Sequence, residues 1–258
     1  MHRKGKYIVK LKRELYLSQI RPYFESDIIK VITGIRRSGK SVLLESIRDE
    51  LIQNRIKGDH IIYLNLEDLD FESIKTASDL NKEIKNRIID SEKYYIFLDE
   101  IQHIEEFERA LASFRAALNV SLFVTGSNST LLSGELATLL TGRTVEFEIM
   151  PFSFLEMKQY YELNNMDWND DLFYNYLKWG GFPLRFDYRD DSSIQKYLVN
   201  LYEGIVNKDI VKKSKSIDKK AFIDISLYIL SNAGKELSID NMIRTPKVFT
   251  TASTVAKC

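Results

Sequence analysis

The chain has 258 residues, enough for one large domain or two smaller ones, and its 44% hydrophobic and 29% charged residues can bury a sizeable core. Its 37 Lys and Arg balance 37 Asp and Glu, and this zero net charge argues against a globally basic nucleic-acid binder while leaving local patches open. The one cysteine, Cys258, excludes a disulfide framework. No apolar run reaches transmembrane length, and the basic N-terminus lacks an apolar signal core. We therefore expect a cytoplasmic protein.

Apolar runs and amphipathic segments alternate along the first 150 residues. Strands are predicted at Ile28–Thr33, His60–Leu66, Tyr94–Leu98, Ser121–Thr125 and Arg143–Ile149. Helices are predicted at Glu14–Phe24, at Ser41–Ile56, at Leu80–Ile89 and over the periodic segment 104–118. This alternation predicts an α/β fold with a mostly parallel sheet.

The residues before the first strand are predicted to contribute little beyond one helix. Residues 1–12 have the composition of a loose basic arm. In the helix that follows, Leu15, Ile20 and Phe24 are the candidate core contacts.

The sequence GIRRSGKS, residues 34–41, lies between the first predicted strand and the helix that follows it. This is the pattern G-x-x-x-x-G-K-[ST], whose glycines let the backbone turn its N–H groups inward around a phosphate at a helix N-terminus. Lys40 can reach the β- and γ-phosphates, and Ser41 can supply a hydroxyl ligand to Mg²⁺. The residues expected to line the phosphates are Gly34, Ile35, Arg36, Arg37, Ser38, Gly39, Lys40, Ser41 and Val42.

An acidic pair, Asp99-Glu100, directly follows the apolar strand YYIFL. An acid at the tip of such a strand is the partner that a phosphate-binding loop requires, so Asp99 is predicted to hold Mg²⁺ through water or the Ser41 hydroxyl. Glu100 is placed to polarise an attacking water as general base. The alternative is a surface turn with two solvated acids.

Three further residues are weaker candidates. Ser127 and Asn128, after the strand SLFVT, could orient the water or touch the γ-phosphate, although a turn and helix N-cap explain them equally well. Arg143 could stabilise a transferring phosphate from its own or a neighbouring subunit, or be an ordinary solvated arginine. Arg36 and Arg37 could contact phosphates, a partner's acids or solvent. The three histidines form no metal-ligand spacing with Cys258.

Taken together, several motifs resemble the AAA+ type ATPases of bacteria and archaea. They occur in the order VITGIRRSGKS, IFLDEIQ, FVTGSNS, LLTGR and PFSFLE, followed by GGFP and by KDI at 208–210. The resemblance implies a five-stranded P-loop sheet in which the strand before GSNS lies between those ending at the phosphate loop and at Asp99. It assigns a sensor role to Ser127 or Asn128 and a possible arginine-finger role to Arg143. It assigns nucleotide binding and hydrolysis to Gly34, Gly39, Lys40, Ser41, Asp99 and Glu100.

The resemblance also implies how the rest of the chain is organised. Residues 1–150 would form the ATPase core, 151–206 a helical lid rich in aromatic core residues, and 207–258 a partial winged-helix-like unit. Members of this family usually continue further, into a nuclease-like region, so we expect the sequence to be a truncated piece of a longer protein. The last segment carries ten Lys or Arg and five Asp or Glu, which suits DNA phosphates, protein contacts or a solvated face equally.

The leading interpretation is an enzyme that binds ATP with Mg²⁺ and hydrolyses it to drive or switch a larger assembly, with a homo-oligomer left open. A P-loop small-molecule kinase is the runner-up among enzymes; Glu100, next to Asp99, favours water as the acceptor instead. A nucleotide-gated protein-binding switch with slow turnover is the alternative from another class.

Overall fold

The computed structural model describes residues 9–126, 140–166, 171–207 and 219–243. A fully parallel five-stranded sheet forms the centre of its first compact unit. The strands are β1 (Ile29–Thr33), β2 (Ile61–Asn65), β3 (Tyr94–Asp99), β4 (Val120–Thr125) and β5 (Thr144–Glu148). They lie in the order β2-β3-β4-β1-β5, and every neighbouring pair is parallel. The five predicted strands are confirmed, and so is the place of β4 between β1 and β3.

The three central strands are buried along their whole length because helices cover both faces of the sheet. Helices α1 (Glu14–Ile20) and α2 (Lys40–Gln53) cover one face, where Ile47, Phe97 and Phe123 belong to one apolar cluster. Helices α3 (Ala77–Arg87) and α4 (Phe107–Ala117) cover the other face with a second cluster. A three-layer α/β core is therefore built by the residues up to β5.

The N-terminal predictions need three corrections. Leu15 is 57% exposed and is not a core contact, whereas Leu17 is fully buried, because α1 turns Leu17 and Ile20 toward the sheet. Residues 9–12 are not a loose arm: the Val9 N–H donates to Asn164 Oδ1 at 2.8 Å, and Leu11 is buried in a third apolar cluster. The α-helix also ends at Ile20 and is followed by the 3₁₀ turn Arg21–Tyr23, whose second residue is Pro22.

Among the described residues after β5 the regular elements are helices, as predicted. Helices Phe154–Leu163 and Leu172–Trp179 pack around the third cluster, whose members include Phe152, Met157 and Phe186. The turn GGFP joins the second of these helices to a 3₁₀ segment at Pro183–Asp187. At Gly181 a β-carbon would lie 1.9 Å from the Phe152 carbonyl oxygen, so the two backbones meet without room for a side chain.

The chain divides into two compact units between Asp187 and Tyr188. In the second unit, described for 188–207 and 219–243, the elements are helices Asp191–Ile205, Lys219–Ser231 and Ile239–Ile243. The lid and the winged-helix unit stay predictions, since KDI and much of the basic segment lie outside the described residues. Within the described ranges, no helix has both the length and the apolar character needed to span a membrane.

One charge lies inside the sheet, away from the predicted site. The Lys30 side chain is fully buried on β1, with its ammonium 2.7 Å from the Ser121 hydroxyl and 4.4 Å from the centre of the Phe123 ring. Burial, with a smaller effect of Lys93, lowers the pKa of Lys30 to about 7, against the opposing effects of Asp27 and Glu25.

The shifted pKa of Lys30 predicts how stability depends on pH. Between about pH 7 and 10.5 the unfolded chain keeps a proton on Lys30 that the folded chain releases, so the free energy of unfolding rises with pH in that window. Lys30→Met should remove this contribution, and the wild type should gain on the variant by up to about 1.4 kcal/mol per pH unit. Denaturant unfolding at several pH values from 7 to 10, followed by tryptophan fluorescence, measures both slopes. Parallel profiles would contradict the buried charge.

Candidate nucleotide-binding site

The loop between β1 and α2 has the backbone geometry that its two glycines allow. Gly34 has φ 138°, and a β-carbon there would lie 2.2 Å from the Ile149 carbonyl oxygen, so the loop begins pressed against the end of β5. Gly39 has φ 101° and is the N-cap of α2, with open space where a β-carbon would point. Any other residue would strain both positions and would fill the space beside Gly39.

Lys40, the first residue of α2, turns back over this loop. Its side chain is only 5% exposed, and its ammonium donates to the carbonyl oxygens of Gly34 at 3.1 Å and Ile35 at 3.4 Å. The charge is therefore held over the loop, where an anion entering the helix N-terminus would meet it.

Ser38 contributes a further polar group to this loop. Its hydroxyl oxygen is buried and has no hydrogen-bond partner among the described residues. Buried hydroxyls in folded proteins are nearly always satisfied. An orphaned hydroxyl, the open space beside Gly39 and the Lys40 ammonium together fit a phosphate group in this loop.

Asp99, the last residue of β3, is tied to the neighbouring elements by hydroxyl groups. The Thr125 hydroxyl, at the end of β4, donates to Asp99 Oδ1, and the Tyr63 hydroxyl lies 3.3 Å from Oδ2. Ser41 of α2 also hydrogen-bonds to this carboxylate. The structure thus brings Ser41 and Asp99 together across β4, as a shared ion would require.

The Asp99 carboxylate lies in an environment that disfavours its charge. The side chain is 2% exposed, and burial raises its pKa above the ordinary value, an effect to which the nearby Glu100 adds; hydrogen bonds from Thr125 and Ser41 oppose the shift. A buried oxygen ligand of this kind, beside a serine hydroxyl, fits Mg²⁺, which uses few protein ligands and keeps several waters. Within the described ranges, no group of three or more His, Cys, Asp or Glu gathers into a metal site.

Glu100 adopts an unusual backbone conformation. It has φ 56° and ψ 50°, the left-handed region that costs roughly 1–2 kcal/mol for a residue with a β-carbon. Two contacts hold it there: its N–H donates to Thr125 Oγ1 at 2.9 Å, and the Gln102 side-chain amide donates to its carboxylate. Its side chain is half-buried beside Asp99, so the acidic pair is not a solvated surface turn.

The remaining predicted residues are not all gathered at this site. Arg37 is exposed at φ 68°, and Ile35 is 38% exposed, whereas Arg36 and Val42 are half-buried in the loop and α2. Ser127 and Asn128 lie outside the described residues.

Arg143 lies on the opposite edge of the sheet from the phosphate loop. It is exposed in the turn before β5, and its carbonyl accepts the Ile29 N–H at the start of β1. The loop follows the other end of β1, so within one chain the structure does not bring Arg143 to it.

Two contributors were missed by the sequence interpretation. Thr125 bridges both acids, and its signal was a polar residue at the end of an apolar strand next to the strand that carries Asp99. Arg13 is 3% exposed, and its guanidinium reaches the Ser38 carbonyl oxygen at 3.2 Å. Arg13 gave no local signal because its partners lie 25 to 143 positions away in sequence.

The sheet order, the loop between β1 and α2 and the acid at the end of β3 define a P-loop NTPase fold of AAA+ type. The family model described as AAA domain matches residues 26–158, about half of the chain. The chain belongs to this AAA domain family.

Curated relatives extend the similarity over nearly the whole chain. A protein of Haemophilus influenzae described as uncharacterized is 37% identical over 255 residues, covering 96% of this chain and 63% of its own length. An uncharacterized protein of Methanocaldococcus jannaschii is 31% identical, covering 86% of this chain and 51% of its own length. The chain thus spans about half to two thirds of the length of these relatives.

Among solved structures, AMPPCP-bound DnaA from Aquifex aeolicus is 16% identical, with a TM-score of 0.47, over 97% of this chain and 77% of that chain.

The double role of Thr125 predicts the outcome of its substitution. Thr125→Val keeps the shape of the side chain but leaves the Glu100 N–H without its acceptor and removes one of the hydroxyl donors to Asp99, at a cost of about 1–3 kcal/mol. Thr125→Ser keeps the hydroxyl and should recover most of that loss. Thermal unfolding of both variants without nucleotide measures the difference, at about 2–4 °C per kcal/mol. Equal melting temperatures for the Val and Ser variants would refute the bridging role.

Proposed function

We propose that this chain binds ATP with Mg²⁺ and hydrolyses it to ADP and phosphate. One observation carries the proposal: the buried Asp99 carboxylate, directly followed by Glu100, hydrogen-bonds to Ser41 at the head of the phosphate-loop helix. A buried carboxylate and a glutamate in the left-handed backbone conformation each lower stability. A nucleotide site without hydrolytic activity would gain nothing from having the two side by side.

The loop residues bind the triphosphate. The N-terminus of α2 offers backbone N–H groups to the phosphate oxygens, and Lys40 exchanges its carbonyl partners for them. Ser41 and Asp99 would hold Mg²⁺, which would neutralise charge on the phosphates. The oxygens of both residues are already side by side, so little rearrangement accompanies ion binding.

Glu100 acts on the water. As general base, its carboxylate accepts a proton from the water that attacks the γ-phosphorus while the bond to the ADP oxygen breaks. The contact from Gln102 and the N–H bond to Thr125 fix the direction of the side chain. Ser127 and Asn128 stay candidates for orienting the same water.

Two alternatives make different demands on the site. A small-molecule kinase takes its nucleophile from the substrate and needs no glutamate directly after the Mg²⁺ ligand, so Glu100 favours hydrolysis. A nucleotide-gated switch uses the same residues with slow turnover, and hydrolysis then serves as its timer. Phosphate release compared with transfer to added metabolites separates the kinase from both.

The direct test is Glu100→Gln, which keeps size and hydrogen bonding but removes the base. ATP affinity should stay within about threefold of wild type while phosphate release falls about 10²–10⁴-fold. Lys40→Ala should instead weaken ATP binding itself, because the phosphates lose their point charge. Calorimetry with Mg·ATP and a phosphate-release assay give the two readouts.

The matched control for Glu100→Gln is Glu105→Gln, an exposed acid five residues further along. It should leave both readouts unchanged. Normal phosphate release by Glu100→Gln would remove the general-base role, and unchanged ATP affinity in Lys40→Ala would remove the site assignment.

Hydrolysis is further proposed to use Arg143 from a neighbouring subunit, because this exposed arginine lies at the sheet edge away from its own loop. A guanidinium arriving at the transferring phosphoryl group supplies about 10³–10⁵-fold in comparable enzymes. Arg143→Ala should bind ATP normally but turn over slowly, and mixing it with Lys40→Ala should restore part of the activity. Arg109→Ala is the control with an equally exposed arginine. Specific activity that stays flat with concentration, together with an inactive mixture, would exclude the role in trans.

The target of the cycle stays a prediction. The excess of basic residues in 207–258 supports a partner rich in phosphate, such as DNA, and most of those residues lie outside the described ranges. Their charge is also compatible with an acidic protein surface.

A further inference from the structure

Arg13 makes more polar contacts than any role in the fold of its own helix requires. It immediately precedes α1, and its side-chain contacts reach residues distant in sequence except for the Tyr16 ring, 4.5 Å from its guanidinium carbon. The Phe152 ring lies 5.2 Å away. Between these rings the planar guanidinium is held in one orientation.

The guanidinium points its N–H groups at two parts of the fold. Nη1 donates to the carbonyl oxygens of Ser38 at 3.2 Å and Met150 at 2.8 Å. Nε and Nη2 form a bidentate pair with the Glu156 carboxylate, at 2.7 and 2.9 Å. One buried cation therefore joins the phosphate loop to the first helix after the sheet.

Glu156 is itself fixed by the start of that helix. Its carboxylate accepts the Ser153 N–H at 2.9 Å, and its own N–H donates to the Ser153 hydroxyl, forming a capping box. Burial alone would raise the pKa of Glu156, but the hydrogen bonds from Arg13 and Ser153 outweigh it and lower the pKa. The carboxylate is therefore charged when it binds Arg13.

The contact at Ser38 sets the direction of the next N–H group. The carbonyl of Ser38 and the N–H of Gly39 belong to one planar trans peptide, so they point in opposite directions. Holding the carbonyl oxygen on Arg13 turns the Gly39 N–H away from Arg13. Gly39 is the N-cap of α2, where backbone N–H groups face an incoming phosphate.

Neighbouring residues of the N-terminal stretch connect the same two parts. Lys12 pairs with Glu50 of α2 at 2.9 Å, while Val9 exchanges two hydrogen bonds with the side chain of Asn164, at 2.8 and 3.1 Å. Asn164 is the C-cap of helix Phe154–Leu163. The stretch from Val9 to Arg13 thus joins the loop helix to both ends of the helix after the sheet.

We infer that Arg13 is a positioning residue for nucleotide binding, which orients the Ser38–Gly39 peptide of the phosphate loop and links it to helix Phe154–Leu163 through Glu156. The inference rests on the proposed function, because it concerns the affinity of the same loop for ATP. Since one guanidinium serves both contacts, tighter nucleotide binding and firmer docking of that helix accompany each other.

The experiment replaces Arg13 by Gln and measures Mg·ATP affinity by calorimetry and steady-state ATP hydrolysis. We expect Kd and KM to rise about tenfold, equivalent to about 1.4 kcal/mol, with kcat at saturating ATP within about threefold of wild type. A merely structural role would lower the active fraction, and so kcat, without moving KM. Hydrogen exchange over residues 150–164 should also slow on addition of Mg·ATP in wild type but not in Arg13→Gln.

Arg21→Ala is the matched control. Arg21 also lies close to the start of the chain, but its side chain pairs with Glu50 of α2, at 2.5 Å, and with Glu14, and not with the phosphate-loop backbone. It should keep the wild-type Kd, KM and exchange response. A Kd for Arg13→Gln within twofold of wild type overturns the inference.

Failure of the inference is distinguishable from failure of the proposed function. If wild type and Lys40→Ala bind Mg·ATP equally weakly, the proposed function fails; if wild type binds and Arg13→Gln matches it, only the role of Arg13 fails. Should Arg13→Gln not fold, Glu156→Gln leaves the arginine in place but weakens its anchor. That variant should raise Kd at least threefold, and an unchanged Kd would overturn the inference equally.

Discussion

The parallel pairing of β1 with both β4 and β5 is the constraint on which the candidate site depends. Parallel strands bring their carboxyl ends to one edge of the sheet, so the phosphate loop, Thr125 and Asp99 meet there without any long-range guide in the local sequence. The same pairing places Arg143 and the start of β1, where Lys30 lies, at the opposite edge of the sheet. At about 3.3 Å per residue, a strand of this length separates the two edges by roughly 13–17 Å. Chemistry within one chain is therefore confined to one edge.

Three of the buried charged side chains in the first unit, Arg13, Lys30 and Asp99, are compensated in different ways. Arg13 has a bidentate carboxylate partner. Lys30 instead contacts the Ser121 hydroxyl and a backbone carbonyl oxygen, and Asp99 is held by hydroxyl groups. Hydroxyl groups compensate for the loss of hydration less fully than an opposite charge does. The pKa of Lys30 is therefore lowered and that of Asp99 is raised, so the neutral form of each side chain is favoured. At Asp99 this disfavoured charge coincides with the place proposed for a cation. At Lys30 the proposed function gives no reason for it.

Most of the sheet could be predicted from sequence because its signals are local. Continuous apolar runs marked β1, β3 and β4, and the glycine-lysine pattern marked the loop between β1 and α2. Leu15 was misplaced because the periodicity of a seven-residue helix cannot say which side faces the core, and only the packed sheet selects Leu17. Thr125 could have been suspected as a polar residue at the end of an apolar strand. Arg13 and Glu156 could not be paired in advance, since the fold brings them together from positions 143 residues apart.

The close approach of Gly181 to Phe152 has a consequence for how the chain tolerates mutation. The Phe152 N–H donates to the Gly181 carbonyl at 2.8 Å, in the same contact that leaves no space for a β-carbon. Even alanine there would separate the turn after helix Leu172–Trp179 from the segment that leaves β5. Position 181 is thus as closed to substitution as position 34, although Gly34 belongs to the proposed nucleotide site and Gly181 does not. In a saturation library selected for folding alone, both glycines would be retained, and intolerance to substitution by itself would not tell the nucleotide site from the scaffold.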